Sequence, residues 1–94
     1  MMSDNILEEL GEAVRSFDEA GARRLAEEAV ERGVDPVEAL EDGLAKALRE
    51  VGDRFGRGEA FITELVAAAQ AMEAGAEIVN REIAASMVPA ALSV

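Results

Sequence analysis

Apolar residues recur every three or four positions in four separate stretches of the chain, the spacing that one face of an α-helix requires. The stretches cover about residues 4–16, 18–32, 36–56 and 62–85. No stretch shows the alternation of a β-strand. The pattern predicts an all-α fold, a mainly antiparallel four-helix bundle built as a single domain over residues 1–94. The third stripe consists of Val37, Leu40, Leu44, Ala47, Leu48, Val51 and Phe55.

The residues between the stripes are typical of helix ends. Residues that commonly cap a helix stand before the first three stretches: Ser3 or Asp4, then Asp18, then Asp35 followed by Pro36. Gly33 is expected to end the second helix, Gly56 or Gly58 the third, and Pro89 to stop the fourth. Gly43 lies inside the third helix at a cost of about 1 kcal/mol relative to alanine, which predicts close approach of a neighbouring helix.

The charge balance narrows the possible partners. The chain carries a formal charge of −11 and has a pI near 4.3, so nucleic acid and anionic membrane surfaces are disfavoured as partners. The carboxylates are expected to form a solvated exterior, with an acidic face for a basic partner as the alternative. The sequence shows no secretory signal and no uninterrupted apolar run of membrane-spanning length, which predicts a cytoplasmic protein.

The inventory of reactive side chains argues against catalysis by the chain itself. There is no cysteine and no histidine, so the usual zinc, haem and iron–sulfur ligands are missing and the hydroxyls lack a base. Two groups of carboxylates could serve acid–base chemistry or bind a hard metal, although a solvated face is the favoured interpretation: Glu8, Glu9 and Glu12, and Glu27, Glu28 and Glu31. No catalytic residue and no metal ligand is predicted.

A glycine-rich segment, VGDRFGRGEAFITEL at residues 51–65, joins the third and fourth stripes. It follows a helix and lacks the Lys-Ser/Thr ending of a phosphate-binding loop, so it is interpreted as a turn. Two of the three phenylalanines of the chain, Phe55 and Phe61, flank the glycines. From periodicity alone, the favoured interpretation is that Phe55, Ile62 and Leu65 simply close the end of the bundle. Phe61 and Met72 are predicted to belong to the core.

The segment from Asp35 to Val79 resembles the N-terminal helical domain of cobalamin-binding methyltransferase corrinoid proteins. The same module caps the cobalamin domain of cobalamin-dependent methionine synthase. The match is strongest over VGDRFGRGEAFITELVAAAQAM, with its V-G-[DE]-x-F-x-x-G-[EK] turn followed by F-[LI]-x-x-[LV] and an alanine-rich segment that ends in A-M. The preceding segment, AVRSFDEAGARRLAEEAVERGVDPVEAL, is similar to the first two helices of the family.

The resemblance implies a cap over the upper face of cobalamin, where the methyl group is bound to cobalt. Phe55, Ile62 and Leu65 are implied to face that centre, with Val66 and Ala69 at the rim. The implied function is to shield methylcobalamin and to gate methyl transfer between methyltransferase subunits. The methyl donor is not indicated.

The chain departs from the family in two respects. Thr63 stands where the family commonly has proline. The family also continues into a cobalamin-binding Rossmann-like domain with a D-x-H-x-x-G motif, which supplies the histidine below cobalt and is absent from this sequence. The chain is therefore expected to hold cobalamin poorly alone, as an excised cap or a free-standing relative.

The alternative function is a stand-alone interaction module that forms homodimers through the apolar patch of Phe55, Ile62 and Leu65. A cobalamin-dependent regulator is a third interpretation, disfavoured because no DNA-binding segment is present.

Overall fold

A computed structural model describes the backbone of residues 5–92 and the side chains as far as residue 85. The first helix is Ile6–Arg15 and the second is Glu19–Glu31. The third is continuous but changes its winding, from an α-helical turn (Pro36–Glu38) through a π-helical segment (Ala39–Ala45) to an α-helix (Lys46–Gly56). The fourth helix is Ile62–Leu92. Residues 5–92 contain no strand, and the predicted all-α four-helix bundle is confirmed.

The first and third helices run in the same direction at close range. A Cβ atom added at Gly11 would lie 3.5 Å from the Cβ of Ala47, and one turn further on the Arg15 guanidinium binds Glu50 at 2.9 Å. The contacts therefore advance together along both helices. The predicted close approach at Gly43 is confirmed, because a Cβ atom there would lie 3.3 Å from the Cβ of Leu10.

The second and fourth helices also run in the same direction. The carbonyl of Ala22 would lie 3.2 Å from a Cβ atom at Gly75, and Arg23 pairs with Glu77 at 3.1 Å. Leu44 of the third helix meets Gly75 from another side, with its Cδ2 at 3.1 Å from the same added Cβ. Small residues thus let three helices converge here, and the turn after residue 56 makes the third and fourth helices antiparallel.

The core is narrow because small side chains form much of it. Among the side chains of residues 5–85, few large ones are almost fully excluded from solvent, and they come from three of the four helices: Leu10, Val14, Leu44, Val51 and Val79. Alanines fill the remaining seams: Ala22, Ala26, Ala29, Ala47 and Ala68. No charged or polar residue is buried within the part of the chain whose side chains are described.

The π-helical segment changes which residues of the third helix face the core. The amide of Lys46 donates to the carbonyl of Glu41, five residues earlier, so the turn is wider than an α-helical one. Residues five apart then share a face, and Ala39 is buried in line with Leu44. Val37, which the periodicity placed on the buried stripe, is 52% exposed. That prediction assumed uninterrupted α-helical winding, and it is wrong for this reason.

Two of the predicted N-caps are confirmed. The Asp18 carboxylate accepts a hydrogen bond from the Gly21 amide at 2.8 Å, and the Asp35 carboxylate accepts one from the Val37 amide at 3.0 Å. The predicted cap at Ser3 or Asp4 lies outside the described residues.

The fourth helix does not stop near residue 85 as predicted but continues through Pro89. The backbone angle of proline is compatible with a helix, and one proline removes a single hydrogen bond among strong helix formers.

The first three helices end in the same hydrogen-bonded turn. In each, one residue has a positive φ and the next amide donates to the carbonyl five residues earlier, at 2.8–3.0 Å. This is the Schellman arrangement, which favours glycine because it has no Cβ atom. Gly33 (φ 79°) and Gly58 (φ 77°) follow the rule, so Gly58 rather than Gly56 provides the left-handed stop of the third helix. The first helix has Phe17 (φ 62°) at this position.

Candidate functional site

A short connection with several hydrogen bonds joins the third and fourth helices. The amide of Glu59 donates to the carbonyl of Arg54 at 2.8 Å and closes the turn around Gly58. Two residues later, the Phe61 amide donates to the Glu64 carboxylate at 2.9 Å. This second bond is half of a capping box, in which the third residue of a helix reaches back to the residue before it. The two helix ends are therefore held at a fixed separation.

Exposed apolar side chains are concentrated around this connection. Phe55 is 40% exposed, Val66 50%, Ile62 54% and Phe61 76%. We call these four residues the apolar end of the bundle. Leu65 is half-buried and packs against the core, so it anchors the first turn of the fourth helix. Ala69 is also half-buried, one turn after Leu65.

The apolar end is exposed because the first two helices are too short to cover it. Arg15, the last residue of the first helix, reaches Glu50, and the second helix begins only at Glu19. Toward the turn, the last fully buried residues are Val51 in the third helix and Ala68 in the fourth, at 1% and 0% exposure. Beyond them, the third and fourth helices project as a hairpin.

The structure corrects the prediction that Phe61 is a core residue. Phe61 precedes the fourth helix at the N-cap position, where its side chain does not share the buried stripe. An apolar N-cap costs about 1 kcal/mol relative to Ser, Thr, Asp or Asn. Glu64 was the available signal, because an acidic residue three positions after a helix start indicates a capping box. Met72 is half-buried against the core, as predicted.

The charged groups near the apolar end lie on the surface. Arg57 pairs with Glu59 at 3.2 Å, and both side chains are more than half exposed. On the neighbouring helix, partial burial lowers the pKa of Arg15, but hydrogen bonds and charge interactions with Glu50 and Glu12 outweigh it and leave that pKa raised. The cations and carboxylates thus surround the apolar end without entering it.

The two carboxylate groups singled out in the sequence lie away from the apolar end. Glu8 and Glu12 bind Arg15 at 3.4 Å, and Glu28 pairs with Arg32. Within the described part of the chain, no three acidic, histidine or cysteine residues are placed to hold a metal ion. No helix in that part combines the length and hydrophobicity needed to cross a membrane. The apolar end is therefore the most distinctive surface described.

Comparison with known proteins gives a consistent result. A family model described as "B12 binding domain" matches residues 6–80. The chain is 41% identical over 80 residues to the trimethylamine corrinoid protein 2 of Methanosarcina mazei, covering 85% of this chain and 37% of the relative. It is 30% identical over 83 residues to the monomethylamine corrinoid protein 1 of Methanosarcina acetivorans, covering 88% and 38%. The chain thus spans less than half the length of these curated relatives.

Proposed function

The chain belongs to the B12-binding domain family, and on that premise we propose that it is the helical cap of a corrinoid methyl-carrier protein. In this function, the domain covers the upper face of methylcobalamin and gates methyl transfer between methyltransferases. The observation that carries the proposal is the exposure of four apolar side chains on one rigid hairpin, beside Gly58.

The side chains of the apolar end fit the upper face of a corrin ring. They offer apolar contact surface, and burying such surface contributes about 25 cal/mol per Å². The chain contains no histidine or cysteine that could compete with a methyl group for cobalt. Cobalamin, when bound, supplies the cobalt–carbon bond that carries the methyl group. The domain contributes exclusion of water from that face.

Individual residues have distinct roles in this proposal. Phe55 and Ile62 provide the central contact from opposite sides of the turn, and Val66 extends it along the fourth helix. Phe61, the most exposed of the apolar residues, adds an aromatic edge that the sequence alone did not indicate. Leu65 holds the hairpin to the core, with Ala69 beside it at the rim.

The proposal requires groups that this sequence does not provide. With no histidine in the chain, a histidine ligand below cobalt would come from a cobalamin-binding Rossmann-like domain. Methyl transfer would further require a donor and an acceptor methyltransferase. Because the relatives are named for trimethylamine and monomethylamine, methylamines are the first donors to test.

The proposal is tested by the light sensitivity of the methyl form. In a protein that carries this domain together with its cobalamin-binding domain, we expect Phe55→Ala and Ile62→Ala to change the rate of methylcobalamin photolysis severalfold. Their unfolding midpoints should stay near that of the parent protein, because both side chains are largely exposed. Val37→Ala is the matched control, since Val37 is similarly exposed (52%) on the N-terminal turn of the third helix. Photolysis rates equal to that of the control would exclude the lid role.

Homodimerisation is the second candidate function, and the same exposed surface favours it. Two copies joined through Phe55, Ile62 and Leu65 would bury apolar surface, although each copy carries a net charge of −11 that opposes association. Sedimentation of the 94-residue chain separates the candidates. If Ile62→Ala dissociates a dimer but leaves the rate of methylcobalamin photolysis unchanged, the result supports dimerisation over the lid.

A further inference from the structure

The turn between the first and second helices holds an aromatic residue in an unfavourable backbone conformation. Phe17 has a φ of 62° and is 40% exposed, whereas Gly33 and Gly58 occupy the same position in the two equivalent turns. A bulky side chain is uncommon in the left-handed region, and strained residues are enriched at functional sites. Glycine would serve the turn at least as well, so the exposed ring needs an explanation other than folding.

A groove between the first and second helices begins beside this turn. Its volume is about 230 Å³. Ser16 and Asp18, the two chain neighbours of Phe17, line the groove, so Phe17 stands at its end. Ala13 and Leu25 lie at its floor and are only 5% and 9% exposed. The groove therefore combines an apolar floor with an exposed aromatic residue at one end.

The walls of the groove carry an excess of negative charge. The carboxylates of Glu9, Glu12 and Asp18 line it, against the guanidinium of Arg24. Glu12 pairs with Arg15 at 3.4 Å, whereas Glu9 and Asp18 form no ion pair with any residue that the structure describes. The whole chain has the same bias, with 20 acidic residues and 9 basic ones. A cationic ligand is therefore attracted by the groove and by the protein around it.

We propose that Phe17 and this groove form a docking surface for a basic, partly apolar face of a methyltransferase. The identity of this partner rests on the proposed function. The face of an aromatic ring attracts lysine and arginine side chains, and carboxylates do the same, so one basic face fits both parts of the surface. An apolar side chain of the partner covers Ala13 and Leu25 on the floor of the groove.

The groove and the apolar end lie on different helices. Residues of the first and second helices line the groove, whereas the apolar end belongs to the third and fourth helices and the turn between them. A methyltransferase held in the groove therefore does not compete with cobalamin for the apolar end. It can bind before the cobalt is uncovered.

Other occupants of this surface fit the observations less well. The net charge of −11 and the acidic walls repel nucleic acid, anionic membranes and acidic proteins, including a second copy of the chain. Within the described residues, no three acidic, histidine or cysteine side chains are placed to hold a metal ion. A small free cation would leave the apolar floor uncovered. A basic protein face uses the ring, the floor and the carboxylates together.

The experiment measures binding of the cobalamin-loaded protein to two purified probes, a methylamine methyltransferase and the enzyme that accepts the methyl group from the carrier. Phe17→Gly keeps the turn and removes the ring. We expect it to weaken binding of at least one probe by roughly tenfold, because an aromatic anchor is lost. Its unfolding midpoint should shift by less than about 5 °C, because relief of the left-handed strain offsets the lost ring contacts.

The charge contribution is tested separately, at a salt concentration of about 0.15 M that screens charges more than about 8 Å apart. The double variant Glu9→Gln/Asp18→Asn should weaken binding of the same probe about fivefold. It remains informative even where Phe17→Gly unfolds, because both side chains are exposed and asparagine caps a helix as well as aspartate does. Glu38→Gln/Glu41→Gln is the matched control, since it makes the same change in net charge on exposed residues of the third helix that do not line the groove. It should leave the affinity within about twofold of the parent protein.

The possible results separate this inference from the lid. If the affinities for both probes are unchanged by Phe17→Gly and by the groove double variant, the docking surface is overturned, whatever the photolysis rates show. Equal weakening by the groove and control double variants also overturns it, because net charge alone then explains the binding. If neither probe binds the parent protein but Phe55→Ala changes the photolysis rate, the docking surface fails and the lid stands. If photolysis is also unchanged, both fail together.

Discussion

Gly52 offers a direct test of whether the packing described above sets the stability of the domain. It lies inside the α-helical part of the third helix, yet a Cβ atom added there would have no described atom within 4 Å apart from its chain neighbours and the backbone of its own helix. Replacing a helix-interior glycine with alanine in open space should raise the free energy of unfolding by about 1 kcal/mol. For a domain of this size, that corresponds to a rise in the unfolding midpoint of about 4–8 °C.

Gly75→Ala is the matched control, with the same substitution in a helix but a different environment. The added Cβ atom would lie 3.1 Å from the Cδ2 of the fully buried Leu44 and 3.2 Å from the backbone carbonyl of Ala22. Overpacking of this kind costs about 1–3 kcal/mol. After the helix-propensity gain of about 1 kcal/mol, Gly75→Ala should be neutral or lower stability by up to about 2 kcal/mol.

The assay is urea unfolding of both variants and the parent chain, followed by far-ultraviolet circular dichroism. The urea concentrations at the unfolding midpoints of the two variants should differ. The dependence of the unfolding free energy on urea concentration should stay the same, because the surface exposed on unfolding is nearly unchanged. Equal stabilisation by both substitutions would refute the close approach of three helices at Gly75. Destabilisation by Gly52→Ala would refute the open environment of Gly52.

Two further predictions concern a helix end and the contrast between exposed and buried side chains. Asp18→Ala should lower stability by about 1 kcal/mol through loss of the cap on the second helix, whereas Asp18→Asn should recover most of it in the same thermal unfolding measurement. Phe61→Ala should cost less than about 1 kcal/mol because the ring is 76% exposed, whereas Leu44→Ala should cost about 2–5 kcal/mol. Similar losses for Phe61 and Leu44 in urea unfolding would contradict the N-cap placement of Phe61.

The sequence predicted the elements of this fold well because its local signals agree with one another. Asp18, Asp35 and Gly33 mark helix ends by chemistry that acts over a few residues, and the structure forms the same bonds. The glycine inside the third stripe indicated a close approach, which Gly43 makes with Leu10. These signals are local, so they can be interpreted without the neighbouring helices.

The predictions that were wrong depend on geometry that periodicity does not report. Val37 was assigned to the core because a π-helical turn cannot be distinguished from an α-helical one by spacing alone. Phe61 was assigned to the core because it stands four residues before Leu65, at the spacing of the apolar stripe of the fourth helix. The candidate site needed a further fact, that the first helix ends at the level of Glu50. Only the packed bundle shows which apolar residues remain uncovered. The assignment of site residues from the sequence therefore rested on the family resemblance: Phe55, Ile62, Leu65, Val66 and Ala69.

The uninterrupted course of the fourth helix determines how the apolar end can move. Ile62 and Val66 lie in the first turns of a helix of 31 residues, about 46 Å long, that also carries core residues such as Val79. A loop could swing aside on its own, but these side chains have no hinge between themselves and the body of the domain. Any motion that uncovers a surface beneath them must carry the whole bundle. The speed of that motion is then set by the contacts the bundle makes with its surroundings, rather than by flexibility within the bundle.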